Sequence, residues 1–367
     1  MSRPSSMRRC VVWGADMAVI TFAQAINDAL TEAMTQDENV LCYGLGVPDP
    51  KGVFGTTLGL QERFGPERVF DMPTSENAMT GIGIGAALYG MRPVITHQRL
   101  DFALLSMDQL VNNAAKWRFM FGGQRGVPLT VRMILGRGWG QGPTHSQNLQ
   151  AWFAHIPGLK VVMPSTAEDA KGLLLSSIFD PDPVIFLEHR WLHNLRGDVQ
   201  HGDVRVELGK ANRIREGDDI TVVAMSYMTI EALHAVDHLQ SQGIHSDLID
   251  LRSLRPIDWN AIEASVRRTG RLLVLDSASL TGSISGEIVA RITSTCWEAL
   301  QIAPRRLAMP DYPEATSPAL TEQYHVRAEH IARDIGAMLA RSVEYVSLTN
   351  KRKYPHDVPG DWFAGPF

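Results

Sequence analysis

Along residues 20–34 the apolar positions Phe22, Ala25, Ile26, Ala29, Leu30 and Ala33 recur three and four apart. That period puts them on one face of an amphipathic helix. The pattern then changes. Asn39-Val40-Leu41-Cys42-Tyr43-Gly44 is a short apolar run stopped by glycine, which predicts a buried strand. Similar runs over residues 92–96, 128–135, 159–163 and 184–188 predict further strands, and the stretches between them, notably 104–119 and 167–178, predict helices. Gly81-Ile82-Gly83-Ile84-Gly85-Ala86-Ala87 is small and apolar throughout, which suits a tightly packed helix. Apolar strands alternating with helices belong to a mainly parallel sheet covered on both faces.

Around residues 196–203 the composition turns polar, with Gly197 and Gly202, and a linker is predicted there. A second alternating series follows, with strands over 219–224, 246–251 and 271–275 and helices over 229–242, 258–269 and 285–299. The chain therefore reads as α/β, with two doubly wound domains over residues 17–200 and 205–340. Residues 1–16 are set apart as an N-terminal extension, disordered or an over-long start, since Met17-Ala18-Val19-Ile20-Thr21 looks like a natural beginning. Residues 341–367 form a C-terminal tail, expected to be irregular from Ser347 onward. No internal repeat is visible.

Composition narrows the function classes. A chain of 367 residues with 44% hydrophobic and 20% charged residues can bury a full core. Its net charge of -5, without a long basic run, argues against nucleic acid as a partner. Cys10, Cys42 and Cys296 are far apart and odd in number. They fit neither a disulfide framework nor a zinc site, and suit a reducing compartment. No stretch reaches the ~18 apolar residues of a membrane span, so no membrane partner is expected. The expected location is cytoplasmic. Arg3, Arg8 and Arg9 among serines would redirect the protein to the mitochondrial matrix if they belong to a transit peptide.

Phosphate-loop, dinucleotide-turn and hydrolase-elbow motifs are all missing, and no His, Cys and carboxylate cluster has transition-metal spacing. Two polar segments stand out. In Asp71-Met72-Pro73-Thr74-Ser75-Glu76-Asn77, Glu76 precedes the apolar helix at Gly81. A carboxylate there is either a helix cap or a functional acid with a shifted pKa. The second segment runs Gly136-Arg137-Gly138-Trp139-Gly140-Gln141-Gly142-Pro143-Thr144-His145-Ser146-Gln147. Such a glycine-rich loop lets backbone approach a ligand closely, and His145, which closes it, is either structural or functional.

These segments, in this order, resemble the β subunit of the first component of the pyruvate and branched-chain 2-oxo acid dehydrogenases. The likeness covers about residues 20–339. It includes Phe64-Gly65-Pro66-Glu67-Arg68-Val69-Phe70-Asp71, Pro73-Thr74-Ser75-Glu76, Asp101-Phe102 with Asp108-Gln109, His145-Ser146-Gln147, His155-Ile156-Pro157-Gly158 and Ile249-Asp250-Leu251-Arg252. The resemblance implies a pyrimidine-binding domain followed by a transketolase-type C-terminal domain. It implies thiamine diphosphate lying between two subunits, with magnesium and the diphosphate held by an α subunit through a G-D-G motif that this chain lacks. An α2β2 heterotetramer, a small 2-oxo acid substrate and a dihydrolipoyl acyltransferase as further partner follow from it.

By the same resemblance Glu76 matches the acid that hydrogen-bonds N1′ of the aminopyrimidine and supports general acid–base work. Phe102 matches the aromatic that stacks on that ring, and Thr74 stands beside it. His145 matches a histidine facing the reactive carbon and the acyl acceptor. Metal ligands are expected on the α subunit, none here. The chain departs from the family pattern at Leu45, where an acidic residue is usual, at Thr74, and in the polar run Thr96-His97-Gln98-Arg99-Leu100-Asp101-Phe102. The tail after about Leu339 exceeds the usual end. Two other readings stay open: a split transketolase or carboligase that passes a ketol or acyl unit to an aldehyde, and a non-catalytic scaffold.

Overall fold

The computed structural model describes residues 17–138, 140–350, 355–363 and 365. The N-terminal extension with Cys10, read as disordered or an over-long start with an import signal as the alternative, lies outside the described residues, as do Trp139 and parts of the tail.

The strands, in chain order, are β1 (Met17–Thr21), β2 (Val40–Gly44), β3 (Val69–Asp71), β4 (Arg92–His97), β5 (Thr130–Leu135), β6 (Lys160–Val162), β7 (Val184–His189), β8 (Arg196–Gln200), β9 (Asn212–Arg215), β10 (Ile220–Ala224), β11 (Ser246–Asp250), β12 (Ser253–Arg255), β13 (Leu272–Ser279) and β14 (Arg305–Met309). They form a seven-stranded sheet of order β12-β6-β7-β5-β4-β2-β3 and a five-stranded sheet of order β14-β13-β10-β11-β9. In each only one edge strand is antiparallel, β12 in the first and β9 in the second. β5 and β7 are buried along their whole length. This is why they read as unbroken apolar runs.

Helices cover both faces of the first sheet. On one lie Phe22–Gln36 and Ala167–Ile178, whose apolar residues share a cluster with Val94, Ile134 and Phe186. The first begins with a capping box between Thr21 and Gln24, and the second is capped by Thr166, which accepts from the Asp169 N–H. On the other face Glu76–Leu88 presses its small residues into the sheet. A Cβ at Gly83 would come within 2.5 Å of Tyr43 Oη and 2.8 Å of Ile95 Cδ1, so the glycine sets the helix-to-sheet distance. The cluster on this face continues into the second unit through Met225, Ile249 and Leu251.

Three expectations need correction. The predicted linker is partly a strand, since Arg196–Gln200 pairs antiparallel with Met17–Thr21. The helix expected over 104–119 is a composite: a 3-10 turn at Leu104–Ser106, a π-helical Gln109–Ala114 and an α-helical Ala115–Met120. The tail is not irregular throughout, because Val346–Asn350 is helical and residues 355–363 pack against the body of the chain. Among the described residues no helix is long and apolar enough to cross a membrane.

Candidate active site

Ligands of open α/β sheets bind beyond the carboxyl ends of the strands, and all four candidate residues follow such ends. β3 leads through Thr74 into helix Glu76–Leu88, β4 leads into the turn of Leu100–Ala103 that carries Phe102, and β5 leads into the glycine loop that ends in His145.

Ser75 is the residue before the first helical turn and Glu76 opens that turn, but the Ser75 side chain makes no capping bond. Glu76 is buried, 6% exposed. Its carboxylate takes no hydrogen bond or ion pair from any described residue, so it is not acting as a cap. Asn77, the next residue, accepts from Gln109 Nε2 at 3.3 Å, which ties this helix start to the segment following Phe102.

Phe102 is half-buried, and the ring of His145 meets it edge-on, with centroids 5.3 Å apart and planes at 89°. The His145 ring is exposed, and its Nδ1 lies 3.0 Å from Thr144 Oγ1. Thr74 is exposed. Phe102 and His145 are thus brought into contact. Glu76 and Thr74 stand on the same sheet edge.

The loop between β5 and His145 is held from beneath by residues to which sequence reading gave no role in the site. Arg99, 3% exposed, donates to Gly136 O at 2.9 Å and to Gln141 Oε1, which also accepts from the Gly138 N–H. Burial lowers the Arg99 pKa to about 10, while nearby Asp101 works to raise it. Gln147 donates to Asp101 Oδ1 at 2.7 Å. Burial raises Asp101 above the ordinary carboxylate range, against the hydrogen bond from Gln147 and the Arg99 charge. His97 is buried with no partner at either ring nitrogen, and burial lowers its pKa to about 4. The signals for this network in the sequence are the departure of residues 96–102 from the family pattern and the matched pieces Asp101-Phe102 and His145-Ser146-Gln147. A cavity of about 600 Å³ borders the same loop at Thr144 and Ser146, and its far wall includes Ser277 and Tyr312 of the second unit.

Residues 18–194 match the family model of the transketolase pyrimidine-binding domain, and residues 209–331 that of the transketolase C-terminal domain. Among curated proteins, the 2-oxoisovalerate dehydrogenase subunit beta of Bacillus subtilis is 41% identical over 309 residues, covering 84% of this chain and 94% of that one. The chain belongs to the family of E1-type β subunits of thiamine-diphosphate-dependent 2-oxo acid dehydrogenases. The pyruvate dehydrogenase E1 component subunit beta of the same organism is 41% identical over 296 residues, covering 80% of this E1-type β chain and 91% of the relative. The acetoin:2,6-dichlorophenolindophenol oxidoreductase subunit beta of Cupriavidus necator is 41% identical over 318 residues, with 84% and 94% covered. A solved split-gene transketolase, titled an inactive beta4 tetramer, superposes with a TM-score of 0.72 at 20% identity over 88% of this chain and 99% of that one. That likeness shows the fold. The resemblance and the α/β class read from the sequence are thereby borne out.

The E1-type β chain keeps its unusual residues close to the candidate site. Leu45 follows β2 at the same sheet edge and is half-buried. Thr96 is fully buried and lies 3.4 Å from Arg132 Nη1. Among the described residues no group of three or more His, Cys, Asp or Glu side chains could hold a metal ion.

Proposed function

We propose that this chain is the β subunit of a pyruvate dehydrogenase-like enzyme, which oxidatively decarboxylates a small 2-oxo acid and transfers the acyl group to lipoamide. It works with a separate α subunit in an α2β2 assembly. The observation that carries the reading is the Glu76 carboxylate, buried in a helix's first turn and engaged by no described residue. With no protein donor taken up, that carboxylate is free to accept a hydrogen bond from a ligand. A protonated ring nitrogen such as N1′ of an aminopyrimidine suits such an acceptor in chemistry and charge.

Thiamine diphosphate, when bound, supplies the electron sink for loss of carbon dioxide. The chain's own residues bind and orient. Glu76 would hold N1′ and share its proton, Phe102 would offer a flat apolar face to the aminopyrimidine, and Thr74 would lie beside it. His145 is exposed and its ring is perpendicular to that of Phe102, which supports a role in steadying developing charge on substrate and in assisting the acceptor. Magnesium and the diphosphate belong to the α subunit, and a dihydrolipoyl acyltransferase takes the acyl group. The same reading places the enzyme in the cytoplasm, or in the mitochondrial matrix if residues 1–16 are an import signal.

The test is to purify this chain with its α-type partner, thiamine diphosphate and magnesium, and to offer pyruvate, branched 2-oxo acids, acetoin and hydroxypyruvate with a dye acceptor. Dye reduction with a 2-oxo acid, dependent on both chains and lowered ~10²–10⁴-fold by Glu76→Gln, is expected. Dye reduction with acetoin alone would replace the 2-oxo acid by a hydroxyketone. Product formed only when an aldehyde is added would make the enzyme a carboligase. No cofactor binding by the assembled pair would leave a scaffold.

A further inference from the structure

The loop that carries His145 has little stiffness of its own. Gly136, Gly138, Gly140 and Gly142 all lie in it, and glycine-rich backbone loses more conformational entropy than any other when it is fixed. Something outside the loop must hold it. The Arg99 contacts hold one side. On the other, Arg137 reaches away from the sheet, and its side chain is fully buried.

The Arg137 guanidinium is engaged at both ends. Nη1 donates to Glu314 Oε1 at 3.2 Å and to Ala315 O at 2.7 Å. Nη2 donates to Thr316 O at 3.0 Å and to Asp357 Oδ2 at 2.9 Å. The loop also rides directly on this segment, for a Cβ at Gly142 would meet Thr316 Oγ1 at 2.4 Å. Three of the four acceptors thus come from residues 314–316. The fourth, Asp357, comes from the C-terminal segment, is 1% exposed and has its other oxygen without a partner. A carboxylate buried at that cost is there for its counter-charge.

The C-terminal segment is itself fastened down. Arg327 Nη2 donates to Val358 O at 3.2 Å and to Pro359 O at 3.1 Å. His356 Nε2 lies 2.8 Å from Pro318 O, and Trp362 Nε1 donates to Trp191 O at 3.0 Å. These contacts fix where Asp357 can be.

We infer that Asp357 is a positioning residue for His145: through Arg137 it locks the glycine loop, and with it the edge-on placement of His145 against Phe102. The inference rests on the reading of His145 given above. It assigns a task to the tail, which clamps the chain's own active-site loop. Loss of the charge removes one of the two carboxylates that hold Arg137 and loosens its far end, and a displacement of about 1 Å at a reacting group can cost ~10²-fold in rate.

The experiment is a double-mutant cycle in the assembled α/β enzyme, with pyruvate and free lipoamide as acceptor. Asp357→Asn should lower kcat ~10- to ~100-fold, with the Kd for thiamine diphosphate unchanged. In a His145→Ala background the same substitution should cost nothing further, because the residue being positioned is gone. Arg137→Lys keeps a charge but loses the fork. It should behave alike, and reads the same brace if the Asp357 variant fails to assemble. Full activity of Asp357→Asn, or losses that multiply in the double variant, would overturn the inference. Full activity of His145→Ala would instead overturn the reading of His145.

Discussion

Gln147 donates to Asp101 at 2.7 Å, and this one bond ties the end of the glycine loop to the helical turn that carries Phe102. The two residues flank the two rings in sequence, Asp101 just before Phe102 and Gln147 two places after His145. The edge-on contact of those rings therefore has a short polar tether beside it. Gln147→Ala should loosen His145 against Phe102 and lower kcat ~10-fold while leaving cofactor affinity intact. Steady-state kinetics together with a thiamine diphosphate titration checks this. A weakened Kd with unchanged kcat would place the tether under the cofactor instead.

Phe102 is predicted to act by shape as well as by apolarity. Phe102→Leu keeps an apolar side chain but removes the flat ring, and a stacked aromatic contact is worth ~0.5–1.5 kcal/mol beyond its area. The apparent Kd for thiamine diphosphate should rise about 3- to 10-fold in the assembled enzyme. An unchanged Kd would make Phe102 an ordinary partly buried residue.

Much of this architecture is legible in the sequence because parallel strands are buried on both faces. β5 and β7 announce themselves as apolar runs, and the predicted helix over 167–178 coincides with Ala167–Ile178, whose Thr166 cap is readable. The ribbon of β1 and β8 is not legible, since β8 is short, polar and partly exposed. Ser253–Arg255 is too brief to stand out, and it joins the first sheet although it lies among residues of the second unit. Glu76, Phe102 and His145 were marked by motif context. The residues that hold them were not. Arg137 and Asp357 lie 220 positions apart, and no local period or spacing connects two such side chains. The tail's aromatic and proline content suggested irregular chain, and gave no sign that Asp357 would be buried.

Beneath the site Arg132 and Glu188 form a two-point pair, Nε to Oε1 at 2.6 Å and Nη2 to Oε2 at 3.0 Å, with both side chains fully buried. Burial pushes the Glu188 carboxyl up, but Arg132 and His193 overcome this and hold it below the ordinary range. Glu188→Ala leaves a buried guanidinium without its counter-charge and should cost ~3–5 kcal/mol of stability. Arg132→Met combined with Glu188→Leu removes both charges and should recover most of that loss. Urea unfolding of the three chains decides the matter. A double variant no more stable than Glu188→Ala would mean that shape, not charge, dominates there.

His97 gives the pH prediction. Both its ring nitrogens are buried without a partner, and burial alone lowers its pKa to about 4. In the unfolded chain a histidine titrates near 6.5. Above that value both states are neutral and His97 adds no pH dependence. As the pH falls from about 6.5 toward 4, the unfolded chain takes up a proton that the folded chain refuses. The folded state then loses stability by ~1.4 kcal/mol per pH unit through this residue. Asp250, raised to about 7 chiefly by burial, works in the opposite sense over part of the range. His189 and His193, lowered by burial to about 3 and about 4, act in the same sense as His97, so wild-type slopes mix several groups and a variant is needed to isolate His97. His97→Leu, similar in volume and without a titrating group, should be the more stable chain at pH 7.5, because it leaves no orphaned nitrogen. Its advantage should be ~1.4 kcal/mol larger at pH 5.5 than at pH 7.5. Denaturant midpoints of the two chains at those two pH values measure the difference directly, and an equal advantage at both would show that His97 is not held neutral in the folded protein.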